Sequence, residues 1–325
     1  MTAPLLEVEN LRTHLHLRRG VVRAVDGVSL RMQEGETLGL VGESGSGKTM
    51  TSLSLLRLLP KEGGGVLQGS IRLDGRELTT LSEAEMAKEI RGRRIAMIAQ
   101  DPMTSLNPVF SIGDQVGAPF RYHEVARGPA LREAVVEVLR RVRIPSPEKR
   151  LRDYPHQFSG GQRQRIVTAM AIACTPRLLL ADEPTTALDV TIQAQIIALL
   201  RRIQEESGAG IILITHDLGV AASLCARIAV MYAGRIVEQG PVREVYRRPA
   251  HPYTRALLSA VPRLGGQRGQ RLAAIPGQPP NLLDLPKGCR FAPRCPHRMP
   301  ACEEYPPDAP VGPGHSAACW LAAKG

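Results

Sequence analysis

Residues 42–49 read Gly-Glu-Ser-Gly-Ser-Gly-Lys-Thr, and this octapeptide constrains the chain more than any other stretch. Its three glycines permit positive φ and close backbone approach, so successive N–H groups can curl around a phosphate. The apolar run 37–41 just before it reads as a short buried strand. Helical spacing takes over from Lys48 to Leu59 and ends at Pro60. A strand that feeds a glycine loop which opens a helix places the helix's positive end at the loop. In the pattern G-x-x-x-x-G-K-[ST], Lys48 reaches the β- and γ-phosphates of a nucleotide and Thr49 ligates Mg2+. The bland alternative is a glycine-rich turn, which the flanking strand and helix disfavour.

Two further stretches carry chemistry only in this company. Leu178-Leu179-Leu180-Ala181-Asp182-Glu183 reads as a buried strand ending in two carboxylates. Asp182 is placed to hold a Mg2+ shell, and Glu183, one residue on, to polarise an attacking water. Alone, such an ending is more often a strand cap; following a phosphate loop, it is a strong signal. Phe158-Ser159-Gly160-Gly161-Gln162 precedes a helix, and a Ser-Gly-Gly turn there offers amides and a hydroxyl to an anion. Taken singly, an ordinary N-cap at Ser159 is the favoured reading.

Elsewhere the pattern predicts strands over residues 5–40, 70–74, 95–98, 178–181 and 211–215, with helices at 131–142, 191–206 and after Asp217. A glycine linker is expected at 63–65. The alternation predicts a parallel sheet with crossover helices. The net charge of +11 fits nucleic acid, an anionic membrane face or a phosphate-binding protein, and equally a plain solubility feature. No signal peptide and no membrane-length apolar run is visible, which predicts a soluble cytoplasmic chain.

The three motifs, in this order and with these gaps, resemble the ABC ATPase family over residues 5 to about 240. The resemblance implies a P-loop (RecA-like) α/β core with an N-terminal antiparallel β subdomain and an inserted helical subdomain at about 101–165. It also implies that ATP and Mg2+ are held by Gly42, Glu43, Ser44, Gly45, Ser46, Gly47, Lys48, Thr49 and Thr51. Gln100 matches the family's Mg2+-sensing glutamine, Asp189 its dimer-contact loop and His216 its switch histidine. Residues 158–162 match the signature, with Phe158 in the usual leucine position. Two cassettes associate head to tail in that family, so Ser159, Gly160, Gly161 and Gln162 are expected to touch ATP bound by the partner. The customary adenine-stacking aromatic has no counterpart here: Leu15, flanked by His14 and His16, occupies the matching position.

Composition shifts near His251, beyond which lie half of the 26 prolines and four of the six cysteines. This predicts a nucleotide-binding domain at 1–250 and a Cys/Pro-rich extension at 251–325. Cys289, Cys295, Cys302 and Cys319 follow a C-x5-C-x6-C-x16-C spacing that lacks the tight knuckles of structural zinc. A [4Fe–4S] cluster fits the wide gaps better, with zinc or reduced structural thiols as alternatives and His297 and His315 as substitute ligands. Residues 100–108, 251–254, 275–282 and 288–295 resemble the dipeptide/oligopeptide importer branch, and more its D-type than its F-type ATPase. That resemblance implies a second, F-type ATPase subunit, two membrane permeases, an extracytoplasmic solute-binding protein, and a peripheral place on the cytoplasmic face of the inner membrane. The cargo expected is peptides or a related solute such as nickel complexes. The competing readings are an ABC-type ATPase acting on nucleic acid and a nucleotide-gated scaffold in which Glu183 is inert. Dispersed arginines and an aromatic content of 3% weigh against the nucleic-acid reading.

Overall fold

The computed structural model describes residues 3–60, 65–186, 188–260 and 275–323. The chain folds as two compact units: Met1–Met32, Thr37–Thr79 and Ile214–Gly325 form one, Gln33–Glu36 and Thr80–Leu213 the other. Strands and α-helices are numbered below in chain order. The expected linker at 63–65 and the loop at 187–189 each fall partly outside the described residues, at 63, 64 and 187.

In the first unit, β1 (Leu6–Leu17), β2 (Gly20–Met32), β4 (Val66–Leu73) and β5 (Arg76–Glu77) form an antiparallel sheet in the order β2-β1-β4-β5. A second set runs β11 (Asp308–Gly312), β12 (His315–Ala318), β10 (Arg235–Pro241), β9 (Arg227–Tyr232), β3 (Thr37–Val41). All five side chains of β3 are buried, as a parallel strand covered on both faces requires. Its register with β9 pairs Leu38 with Arg227 and Val41 with Val230. Gly39 keeps this packing close, because a Cβ there would lie 3.1 Å from Ile228 and 3.3 Å from Ala221 and Cys225. The helices of this unit are α1 (Lys48–Leu55), α9 (Leu218–Leu224), α10 (Val242–Arg247), α11 (Pro252–Ser259) and α12 (Trp320–Ala323).

The second unit carries α2 (Glu83–Glu85), continued by a π-helical turn at Met86–Ile90, then β6 (Ile95–Ile98) and α3 (Pro102–Ser105). Next come α4 (Ile112–Tyr122), α5 (Gly128–Arg141), α6 (Pro147–Arg150), α7 (Gly160–Ile172), β7 (Leu178–Asp182), α8 (Val190–Ser207) and β8 (Gly210–Thr215). Its strands run β8-β7-β6, with β6 and β7 parallel from Ile95 opposite Leu178 to Ile98 opposite Ala181. Val116, Phe120, Val135, Leu139, Ile166 and Ala169 bury the facing sides of α4, α5 and α7.

Three expectations change. The expected parallel sheet is corrected to a mixed one: β9–β10 and β11–β12 pair antiparallel because turn-length connections can join only antiparallel neighbours, and β12 pairs antiparallel with β10. The helix expected to reach Leu59 ends at Leu55, where Arg57 turns into the left-handed region at φ 52°. The Cys/Pro-rich extension, where no strand was expected, contains a hairpin, β11–β12, that pairs with β10. Among the described residues, no helix is long and apolar enough to cross a membrane.

Candidate active site

The residues expected to bind phosphate lie in the first unit. β3 delivers the chain to Gly42, where a Cβ would stand 2.2 Å from the Met231 carbonyl oxygen. Gly47, at φ 106°, would bring one to 2.3 Å from the Ala24 carbonyl oxygen. Both positions are therefore closed to any side chain, for reasons of backbone contact. Gly45, by contrast, faces open space. Lys48 is 5% exposed and its Nζ donates to the carbonyl oxygens of Gly42 (2.8 Å) and Glu43 (2.9 Å). The hydroxyl of Thr51 donates to the Gly47 carbonyl at 3.0 Å. No side chain caps α1, and the buried Ser46 hydroxyl has no hydrogen-bond partner. An uncapped helix start beside an orphaned buried hydroxyl is a cradle that a phosphate oxygen would complete. Thr49 is exposed at the start of α1, and His216 is exposed just after β8, ahead of Asp217, whose Oδ1 caps α9 through the Val220 amide at 3.1 Å.

The second unit brings two other expected residues together. Gln100 Nε2 donates to Glu183 Oε2 at 3.1 Å, and the Thr186 hydroxyl donates to the same oxygen at 2.9 Å. Asp182, 1% exposed, closes β7. Glu183 sits at φ 46°, a conformation a non-glycine residue adopts at a cost of about 1–3 kcal/mol. Ser159 caps α7 in a reciprocal box: its hydroxyl accepts from the Gln162 amide (3.3 Å) while Gln162 Oε1 accepts from the Ser159 amide (3.1 Å). The ordinary N-cap reading is thus realised, and it leaves Ser159 and Gly160 exposed. Gly161 is needed for packing, since a Cβ would meet Ile192 at 2.8 Å. Asp189 caps α8, accepting from the Ile192 amide at 2.9 Å.

Sequence reasoning assigned no role to several buried polar residues of the first unit. Arg294 grips Glu43 with both terminal nitrogens, at 2.7 and 3.1 Å. The Glu43 amide donates to the Tyr253 hydroxyl at 2.8 Å. Arg290 is bonded to Asp26, which Arg235 (3.2 Å) and His14 (3.2 Å) also reach. Burial opposes ionisation of Asp26, yet the Arg290 and Arg235 guanidinium groups outweigh it and hold its carboxyl at about 2. Glu238, 1% exposed, accepts from the Ala250 and His251 amides and from His315 Nε2 at 2.8 Å. The signal available in advance was only that residues 251–254 and 288–295 read as motifs.

His251 is wholly buried and its Nδ1 accepts from the Tyr253 amide at 3.0 Å, which caps α11 and specifies the neutral ring. Burial, helped by Arg255, pushes its pKa down to about 3. The unfolded chain takes up this proton near pH 6.5 and the folded chain does not until about 3, so acid favours unfolding across that window. Stability should fall on going from pH 7 to 5 with a slope of up to about 1.4 kcal/mol per pH unit. His251→Asn, which can keep the cap without the titration, should flatten that slope in chemical-denaturation curves; an unchanged slope would rule His251 out as its source.

Cys289, Cys295, Cys302 and Cys319 line one small cavity with His251, Phe291 and His297, and none is in a disulfide. Among the described residues, however, no three His, Cys, Asp or Glu side chains are grouped as ligands of a metal ion. The expected metal site gains no support from that placement. His315 is committed to Glu238 instead of the cysteines.

Residues 25–186 match the ABC transporter family, and residues 237–302 match the oligopeptide/dipeptide transporter C-terminal region. A chain of Sinorhizobium fredii described as a probable peptide ABC transporter ATP-binding protein is 52% identical, covering 97% of this chain and 94% of the relative. The oligopeptide transport ATP-binding protein OppD of Salmonella typhimurium is 49% identical, covering 97% and 93%. The chain belongs to the ABC transporter ATP-binding subunits. Its fold is that of a P-loop ABC ATPase with mixed α/β sheets. The solved dimeric post-hydrolysis state of the ATP-binding cassette MJ0796, bound to ADP and Pi, superimposes with a TM-score of 0.65 at 28% identity, covering 73% of this ABC ATPase and 99% of the cassette. Those relatives are transporter subunits, and the nucleic-acid alternative is not favoured beside them. The donors expected around Mg2+, the Thr49 hydroxyl, the Gln100 amide and the Asp182 carboxylate, are all hard oxygens that suit the ion.

Proposed function

We propose that this ABC ATPase binds MgATP on residues 42–49 and hydrolyses it to energise an importer of di- or oligopeptides, or of a related small solute such as nickel complexes. The observation that carries the ATP site is the loop itself: Lys48 buried on two loop carbonyls beside an uncapped helix start and the orphaned Ser46 hydroxyl. Lys48 turns from those carbonyls to the β- and γ-phosphates when the nucleotide arrives. Mg2+ supplies charge neutralisation on the phosphate oxygens, with Thr49, Gln100 and Asp182 as its holders. Glu183 accepts the hydrogen bond that orients the attacking water, and Gln100 and Thr186 keep its carboxylate aimed. His216 contacts the γ-phosphate, and Leu15 or exposed His16 packs on adenine, since His14 is engaged by Asp26.

The peptide cargo is supported by the match of the C-terminal region and by relatives whose names say peptide import or oligopeptide and dipeptide transport. In this reading residues 1–250 are the nucleotide-binding domain, 101–165 its helical subdomain and 251–325 the C-terminal extension. Ser159, Gly160, Gly161, Gln162 and Asp189 meet the partner cassette of an F-type subunit. Two permeases and an extracytoplasmic binding protein complete the importer at the inner membrane's cytoplasmic face. Reconstituted with those subunits in vesicles, the wild-type chain should drive ATP-dependent uptake of labelled peptide. Intact ATPase activity with no uptake of any peptide or nickel complex would reject the cargo.

A [4Fe–4S] cluster on Cys289, Cys295, Cys302 and Cys319 is proposed from their wide sequence spacing and their shared cavity alone, with no grouping of metal donors among the described residues behind it. Anaerobically purified protein should then show broad absorption near about 400 nm and four irons per chain. Zinc in place of iron, or no metal at all, would overturn this assignment.

A further inference from the structure

Among the described residues, the C-terminal extension reaches Glu43 of the phosphate-binding loop through two side chains, Tyr253 and Arg294, and only Arg294 takes its carboxylate. Arg294 lies between Cys289 and Cys295 in sequence and is 4% exposed. Its two terminal nitrogens hold the Glu43 carboxylate at 2.7 and 3.1 Å. The guanidinium is itself fixed: Nε donates to the Pro276 carbonyl at 2.8 Å, and a terminal nitrogen donates to the Tyr232 hydroxyl at 3.2 Å. It also stands 5.8 Å from the Tyr232 ring centre and 5.9 Å from that of Phe291. Glu43 is the second residue of the loop, and it is held at three points. Arg294 takes its carboxylate, Tyr253 accepts from its amide at 2.8 Å, and its carbonyl accepts from Lys48 Nζ at 2.9 Å.

Lys48 therefore registers any displacement of Glu43, because its ammonium rests on the carbonyls of residues 42 and 43. Bidentate arginine–carboxylate pairs are directional as well as strong, so this pair sets the orientation of the loop's first turn and not merely its proximity. A surface ion pair would do neither; here the arginine is buried and Glu43 is 26% exposed. We propose that Arg294 is a positioning residue for ATP binding, acting through Glu43 to hold the first turn of the phosphate-binding loop and the resting place of Lys48. The cysteine-bearing extension is thereby part of the nucleotide site's support and not an appendage to it. This rests on the reading that residues 42–49 bind ATP.

The test uses the full chain and a fluorescent ATP analogue, with steady-state hydrolysis in the assembled importer. Arg294→Lys keeps the charge and loses the fork; Arg294→Met keeps the packing on Tyr232 and Phe291; Glu43→Gln keeps the shape and loses the charge. Each should weaken nucleotide binding and raise KM by roughly tenfold, with kcat changed by less than about threefold, as expected for a ground-state positioning loss. Glu43→Gln combined with Arg294→Met should be no worse than either alone, because both remove one interaction. A purely structural arginine predicts a lower melting temperature with unchanged affinity in the folded fraction, and that result, or fully additive losses, would overturn the proposal. Should Arg294→Met fail to fold, Glu43→Gln alone decides, since it leaves the buried arginine's other bonds in place. Lys48→Ala separates the two levels of failure. If it too binds like wild type, the ATP site itself is misassigned; if it alone loses binding, only the role of Arg294 falls.

Discussion

Glu183→Gln should leave ATP bound while reducing turnover by roughly 10²–10⁴-fold, the range a positioned general base contributes. The amide preserves the size of the side chain and can still accept from Gln100 and Thr186, which now share Glu183 Oε2. It cannot take up charge from an attacking water. The strained backbone at φ 46° is a property of residue 183's place in the turn, so the substitution leaves that geometry unrelieved. The expected species is an ATP-loaded dimer that persists, visible by size-exclusion chromatography with ATP and Mg2+ and by single-turnover hydrolysis. Turnover within a few-fold of wild type would show that Glu183 is inert and restore the scaffold reading.

Gly47→Ala should disable the phosphate-binding loop even though it adds one methyl group. The new Cβ would lie 2.3 Å from the Ala24 carbonyl oxygen and 2.7 Å from the Met231 methyl, at a φ of 106° that alanine resists. The methionine tip can swing aside; the backbone of β2 cannot. The loop or β2 must therefore shift by a large part of an ångström, and a misplacement of that order costs about 10²-fold in a positioned site. Nucleotide affinity should fall by at least that factor, measured by titration with a fluorescent ATP analogue. Gly45→Ala is the control: it has the same residue type and loop, but its Cβ meets nothing within 4 Å. Its cost is confined to the positive φ, and equal losses at both positions would remove the clash as the explanation.

What was legible in the sequence was local. β3 at 37–41 and β6 at 95–98 appear where the apolar runs predicted, because strands buried on both faces read as uninterrupted apolar stretches. The phosphate loop was legible for a related reason: its glycines, lysine and threonine act within eight consecutive residues. β9 was missed although residues 228–232 form such an apolar run, and β10, β11 and β12 escaped because their polar and apolar residues do not alternate cleanly. Gln100 was assigned by resemblance, and its bond to Glu183 across 83 residues was invisible in any window.

By itself, the amino-acid sequence set out the chemistry expected of this protein: a glycine loop suited to phosphate, a strand that ends in two carboxylates, a Ser-Gly-Gly turn opening a helix, and four cysteines near the C-terminus. The tertiary structure alone decided which residues support that chemistry. Arg294 lies 251 residues from Glu43 and Arg290 lies 264 from Asp26, and only the packing of the extension against the strands of the first unit makes these pairs. The physical reason is that an arginine–carboxylate pair carries no local signature. Its partners meet only when folding brings distant segments together around the arginine, and that placement is a property of the whole unit.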